Sequence, residues 1–257
     1  MILSRRVALG GIQLDELDER IVIRGVDPGI PHESMSAVNR MGGWGQRMTS
    51  QHWETLDVNV GFALDIPKAE MAERRQVLDR IAEWALKCGW MTAGHMPGRR
   101  VWIEKAILPS PGDLWEWLSE YTITFRAYGV PFWQDEEAAK AVKKTVTSGS
   151  VSIQVGGTTE SVLDVSFKNV SGSTIKNFAV TAGDKTMTLN GLNLAKYETL
   201  EITHTNDGLL KAMAGTRNVY GLITGADDLT VKPGAVTVSV SASRAGDLTV
   251  TSYGRYL

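Results

Sequence analysis

Tyr121-Thr122-Ile123-Thr124-Phe125-Arg126-Ala127-Tyr128-Gly129-Val130-Pro131-Phe132-Trp133 decides how the rest of the chain is read. Tyr121, Ile123, Phe125 and Ala127 fall on one side of an extended chain and Thr122, Thr124 and Arg126 on the other, the two-residue period of a half-buried β-strand. The stretch ends on the last tryptophan. All eight Trp residues, Trp44, Trp53, Trp84, Trp90, Trp102, Trp115, Trp117 and Trp133, precede position 134, and the remainder of the chain is rich in Ser, Thr, Gly and Val. Two cores of different composition are implied, and 257 residues accommodate two modest domains of ~100–200 residues.

Downstream, the polar, helix-prone residues 134–144 lead into Thr145-Val146-Thr147-Ser148-Gly149-Ser150, which reads as a linker. The domains are therefore expected at 1–144 and 145–257. Beyond the linker come short alternating runs at 151–155, 162–167, 175–181, 186–189, 200–204, 209–213, 236–241 and 248–253. They are separated by turn sequences such as Gly156-Gly157, Asn190-Gly191, Asn206-Asp207-Gly208 and Ala245-Gly246-Asp247. Strands this short, spaced by turn residues, predict an all-β antiparallel sandwich.

Upstream, one helix is expected over 67–87, with Asp65 as N-cap, Pro67 in the first turn and Gly89 as the stop. Val77, Leu78, Ile81, Ala82, Trp84, Ala85 and Cys88 recur at helical spacing and form the inner face. Glu70, Glu73, Arg74, Arg75, Asp79 and Arg80 fall largely on the other. Strands are expected at 21–24, 57–62, 101–105 and 121–128, which makes the N-terminal part an α+β domain, a sheet or barrel with one main helix. Residues 39–51, with Gly42-Gly43-Trp44-Gly45 and little periodicity, read as a long loop or extended hairpin arm.

The composition narrows the function classes. With 43% hydrophobic and 22% charged residues the chain can bury an ordinary globular core. A formal charge of −2 gives no broad basic field for wrapping nucleic acid. The N-terminal residues lack the apolar run of a signal peptide, and no segment reaches the ~20 apolar residues of a membrane span. Synthesis and folding in cytoplasm, without membrane insertion, is the expectation. The single cysteine, Cys88, reads as a small buried hydrophobe rather than a reactive thiol.

Catalytic and metal motifs are missing from the sequence. His32, His52, His95 and His204 are far apart, so no zinc-ligand spacing exists. The Gly42-Gly43-Trp44-Gly45 segment lacks the Lys-Ser/Thr of a phosphate-binding loop. No Gly-x-Ser-x-Gly elbow supports a Ser–His–Asp hydrolase, and His95 and His204 read as surface or turn residues. The acidic group Asp15, Glu16, Asp18 and Glu19 reads as a solvated edge or subunit contact rather than a glycosidase pair. No cofactor, metal or catalytic residue is expected. Two features point instead to assembly. Arg99 and Arg100 follow a Pro-Gly turn, where guanidinium groups can reach a neighbour's carboxylates or a phosphate, or simply solubilise the turn. Trp115 and Trp117, two apart, diverge in either a strand or a helix, so one of them can lie outside its own core.

The order of these features resembles the phage distal tail protein family. The matching motifs are Ile81-Ala82-Glu83-Trp84-Ala85, Pro97-Gly98-Arg99-Arg100, Leu108-Pro109-Ser110 and above all the run from Thr124-Phe125-Arg126-Ala127 to Pro131-Phe132-Trp133. In the C-terminal half, Phe167-Lys168-Asn169-Val170-Ser171-Gly172, Thr186-Met187-Thr188-Leu189-Asn190-Gly191 and the closing Tyr253-Gly254-Arg255-Tyr256-Leu257 are similar to the family's galectin-like domain. The resemblance implies a virion structural protein of a phage or prophage tail, located at the tail tip or baseplate. Its N-terminal domains would form a hexameric ring through which DNA passes without specific binding. Implied partners are the chain itself, the tail tube, tape-measure and tail tip or tail-associated lysin proteins, and in some phages a receptor-binding protein. Trp44, Trp115, Trp117, Arg99 and Arg100 are the candidate subunit-interface residues. The rival readings are a carbohydrate-binding adsorption module and a glycan-cleaving tail enzyme. Against the first, the C-terminal half has no Trp, and its Phe167, Phe178, Tyr197, Tyr220, Tyr253 and Tyr256 lie mostly on expected strands.

Overall fold

A computed structural model describes residues 6–39, 46–109 and 120–257, and of 38, 39 and 46–51 the backbone alone. The chain divides into two compact units, Met1–Trp133 and Gln134–Leu257, both built mainly of strands. The described elements of the first unit are β1 (Val7–Leu9), β2 (Ile12–Gln13), β3 (Ile21–Asp27), β4 (Glu33–Asn39), β5 (Gln46–Trp53), β6 (Leu56–Leu64), α1 (Met71–Leu86), β7 (Gly89–Ala93), β8 (Arg99–Ile103), β9 (Lys105–Ile107) and β10 (Tyr121–Ala127). Strands β3, β6, β10 and β9 form one antiparallel sheet in that order, β2, β1, β7 and β8 line up in another, and among the described residues β4 pairs with β5 alone.

The alternation read in β10 is realised: Tyr121, Ile123, Phe125 and Ala127 are buried, as are Leu56, Val58, Val60 and Phe62 on its partner β6. Helix α1 covers this core with Val77, Leu78, Ile81, Trp84 and Ala85. The Trp84 ring meets Phe125 edge-on at 5.7 Å, and its Nε1 donates to the Ile12 carbonyl at 3.0 Å. The helix starts later than expected. Glu70 N–H donates to the Pro67 carbonyl, closing a turn first, and Glu70 rather than Asp65 is the N-cap. It also ends sooner: Cys88 lies beyond the last turn with φ 56°, half-buried, so the left-handed stop falls on Cys88 ahead of Gly89. Burial pushes the Cys88 thiol up from its ordinary value.

Arg74 departs from the polar face assigned to it. It is 2% exposed and donates to the Ile66 carbonyl at 2.6 Å and the Tyr121 hydroxyl at 3.0 Å. The strand expected at 101–105 breaks at Glu104, whose carboxylate turns to accept the backbone N–H groups of Tyr128 and Gly129.

After β11 (Trp133–Asp135), the second unit comprises β12 (Ala139–Val155), β13 (Ser161–Val162), β14 (Asp164–Asn169), β15 (Ile175–Ala182), β16 (Lys185–Leu194), β17 (Thr199–His204), β18 (Leu210–Ala214), β19 (Arg217–Asn218), β20 (Ile223–Gly225), β21 (Thr230–Val231), β22 (Gly234–Ser252) and β23 (Arg255–Tyr256). Two long strands organise it. β22 pairs along one edge with β15 through 238–242 and then with β14 through 246–251, while β12 runs beside it on the other edge. Each half of the β12–β22 ribbon therefore anchors its own set of strands, β14-β17-β18-β19 on one side and β15-β16-β20 on the other. The hydrogen-bonded sheet is continuous and curls around a single core in which Phe167 and Phe178 lie 4.9 Å apart.

The stretch 145–150 is not a linker. It lies inside β12, where register shifts between Lys143 and Ser148 bend the strand, with Thr145 at φ 50°. Asp247 fixes the bend by accepting Thr145 N–H at 2.9 Å and the Lys144 ammonium at 3.0 Å. The Ser/Thr/Gly composition serves a kink common to both long strands.

Candidate functional site

Besides the acidic group before β3, three described regions carry side chains singled out in the sequence. The first is the β4–β5 hairpin, registered from Glu33 opposite Trp53 to Asn39 opposite Gln46, with a bulge between Ser36 and Ala37. Its base is firmly built. His32 and Thr55 pair through the backbone, as do Glu54 and His32, and Trp53 meets Phe132 edge-on at 5.9 Å. Gly29 takes φ 65° and passes so close to the Asp57 carbonyl that a Cβ would stand 2.0 Å from it. Asp57 in turn holds Arg126 through two hydrogen bonds, 2.5 and 2.6 Å, which keep its carboxyl below the usual carboxylate range. Beyond the base, no layer lies against the hairpin among the described residues: Glu33, Met35, Ser36 and Ala37 are exposed, Met35 by 62%. An isolated two-stranded ribbon is marginal in water, so an arm of this form is suited to being covered by something else. Trp44, Trp115 and Trp117 lie outside the described residues.

The second region is the β7–β8 hairpin. Met91, Ala93, Val101 and Ile103 face the core, which by strand parity puts Trp90, Thr92, Arg100 and Trp102 on the opposite face. Trp90 is paired with Trp102, ring centroids 5.3 Å apart and nearly perpendicular, and the Arg100 guanidinium lies 4.0 Å from the Trp90 ring centroid. A cation over an aromatic face is worth ~0.5–2 kcal/mol. Strand parity sends Arg99 to the other face, so the two adjacent arginines do not act as one basic pair. Trp90 and Trp102 were not singled out from sequence. Their register across the turn is the missing information, and the Pro97-Gly98 turn between two tryptophan-bearing runs is the signal that could have found them.

The acidic group near the N-terminus is partly structural. Asp18, 9% exposed, takes Arg20 on both oxygens and Arg80 on one, and Arg20 reaches on to Glu73 at 2.7 Å. The Arg20 guanidinium, with help from its backbone and Arg80, holds the Asp18 carboxyl well below the usual range against the opposing effect of burial. This network ties the segment before β3 to α1, a role nearer to packing than to a free solvated edge.

The third region is in the second unit. His204 is no surface histidine: its side chain is 7% exposed, Nδ1 lies 2.8 Å from Asp164 Oδ1, and Nε2 lies 3.0 Å from Asp228 Oδ1. Burial pushes the imidazole pKa down, but the two carboxylates outweigh it and raise it to about 9. The ring is thus protonated near neutrality and both N–H groups donate. No lone pair is left on either nitrogen to accept a proton from a nucleophile, which removes His204 from any hydrolytic role of the Ser–His–Asp kind. Among the described residues, no three His, Cys, Asp or Glu side chains converge to hold a metal.

No protein-family model matches the chain, and no curated protein matches it in sequence. The fold does find counterparts. The Dit protein (gp 19.1) of phage SPP1, described as a paradigm of the hub adsorption apparatus in phages infecting Gram-positive bacteria, superposes with a TM-score of 0.67 at 11% identity, over 98% of this chain and 99% of that one. Chains of the phage P2 baseplate in its activated conformation, with Ca or with Sr, give TM-scores of 0.47 and 0.44 at 8% and 9% identity, over about nine-tenths of both partners. The chain therefore has the fold of the SPP1 Dit protein over essentially its whole length.

Proposed function

We propose that this chain is a structural subunit of a phage or prophage tail tip, a distal tail protein whose N-terminal unit closes into a hexameric ring and whose C-terminal unit is a galectin-like domain directed outward. The observation that carries the reading is the end-to-end fold likeness to SPP1 Dit at a TM-score of 0.67. The β4–β5 arm supports it, because a ribbon that no third strand joins among the described residues is the kind of element a neighbouring copy completes. Ring closure by identical subunits needs a heterologous interface, two different patches meeting head to tail. We assign Trp44 to one of these patches, and Trp115, Trp117, Arg99 and Arg100 to the other.

On this reading the partners are the tail tube and tape-measure proteins above, the tip or tail-associated lysin protein below, and in some phages a receptor-binding protein. The chain is no enzyme, and DNA crosses the ring without being held, as a formal charge of −2 favours. Native mass spectrometry and negative-stain imaging of the full chain, alone and with the tail tube protein of the same phage, test this directly. A closed oligomer with a central channel is expected in at least one of the two preparations. A monomer in both would overturn the reading. Within the oligomer, Trp44→Ala should weaken assembly by ~2 kcal/mol or more per interface, as truncating a central interface tryptophan does, and leave the melting of the isolated subunit almost unchanged.

A further inference from the structure

We infer that β12 joins a second copy of the chain edge to edge through Val151–Val155, the two strands running antiparallel about a two-fold axis at Ile153. Among the described residues β12 pairs with β22 alone. Alternate residues along its other edge therefore hold their backbone N–H and C=O groups away from β22, an open template for a further strand.

Among the described residues, the other two ends of this sheet are blunted by shortness: β19 has two residues and β20 three. β12 has 17, and its two halves differ. Lys140, Lys143 and Lys144, with the register shifts between Lys143 and Ser148, guard the first half, since charge and a bend both discourage edge pairing. The guard reaches as far as Ser150. There the Lys143 ammonium donates to the Ser150 carbonyl at 3.0 Å, crossing Gly149, where a Cβ would stand 2.8 Å from Nζ. From Val151 to Val155 the sequence holds no charge and no proline, and the register with β22 runs unbroken.

The unguarded stretch points to its own copy as the occupant. Gly149-Ser150-Val151-Ser152-Ile153-Gln154-Val155-Gly156-Gly157 reads nearly alike in both directions about Ile153. In an antiparallel pair, Val151 of one copy meets Val155 of the other, Ser152 meets Gln154, and Ile153 meets Ile153. Ile153 and Val155 are buried and Val151 is half-buried, whereas Ser152 and Gln154 are exposed. The joint therefore sets apolar against apolar on the core side and polar against polar outside, with no like charges opposed. A patch that complements itself gives the isologous contact of a two-fold pair. This joint does not rest on the tail-tip reading, because ring closure needs two different patches and the joint uses one patch twice.

Native mass spectrometry and peptide-resolved hydrogen exchange on the full chain, at low and high micromolar concentration, test it. A species of doubled mass that grows with concentration is expected, whether the unit doubled is a monomer or a ring. Exchange of the amides over 150–155 should slow in step with it. Ser152→Lys, at an exposed position, puts a charge from each copy into the joint and should lower the association constant about tenfold or more. Ser239→Lys puts the same charge on the same outer face one strand inward, opposite Ser150, and should leave the doubling unchanged. No doubling, doubling that survives Ser152→Lys, or equal loss in both variants would each overturn the proposal. A ring that never doubles defeats this joint alone, and a doubled monomer without a ring defeats the ring alone.

Discussion

His204 shows at the scale of one residue how far a sequence can and cannot be read. Its place at the end of an alternating run was legible, and the run is β17. Its role was not, because Asp164 and Asp228 lie 40 and 24 positions away and only the fold brings them together. Arg74 is the same case, since its Tyr121 partner is 47 positions off. The clasp has a measurable consequence. With a folded pKa of about 9 against an unfolded value near 6.5, His204 contributes stability that is complete below pH 6.5 and is lost as pH rises through 9. The difference corresponds to about 3 kcal/mol at most. Melting temperatures measured from pH 6 to 10 should therefore fall more steeply for the parent than for His204→Gln. At pH 6 the variant should be the less stable by about 2–3 kcal/mol, since it strands two carboxylates without their cation. Parallel pH profiles would remove the clasp from the stability of this unit.

At the scale of elements, alternation served well wherever one face of a strand meets the core, as in β6, β10 and β14. It served poorly for β12 and β22, whose inward and outward sides are interrupted where the ribbon passes from one set of partners to the other. The expected strands at 236–241 and 248–253 are two halves of β22, and the Gly246 turn between them is a kink in a continuous strand. Gly246 is there for space: a Cβ would come within 2.4 Å of the buried Phe167 ring. Gly246→Ala should cost ~1–3 kcal/mol in chemical denaturation, the usual range for overpacking. Gly172→Ala, with nothing within 4 Å of the added atom, should stay within ~0.5 kcal/mol. Equal effects at the two sites would mean that the close approach is relieved at no cost. Gly29→Ala makes a sharper test at the arm, combining a positive φ with a Cβ 2.0 Å from backbone. Loss of more than ~2 kcal/mol is expected there. The candidate assembly site was legible only in outline. A Gly-rich segment between short polar runs read equally as loop or arm, and the pairing of β4 with β5 is what distinguishes them.

For the whole molecule, the tryptophan break and the compact units fall at the same place in the chain, Trp133, whereas the Ser/Thr/Gly run lies 12 residues further on, inside β12. Composition marks the change of core at Trp133, and the Ser/Thr/Gly run belongs to a bent strand. The difference is testable with two fragments. Residues 134–257 should melt cooperatively. Residues 145–257 lack Ala139 through Lys143, which pair with Ser252 through Leu248, and also lack Asp135, which accepts the Tyr256 hydroxyl. The shorter fragment should melt at least about 5 °C lower, equivalent to ~1 kcal/mol at this size, and identical curves would argue for a boundary at 144. The β4–β5 arm bears on how copies would join. No third strand joins that ribbon among the described residues. In an open string of head-to-tail copies, one arm is always left over at the end, carrying surface that nothing satisfies. A closed circle leaves none, and its last joint forms between ends that are already tethered. In the proposed ring the arm would therefore reward finishing over growing, and a finished circle would have no place for one more subunit.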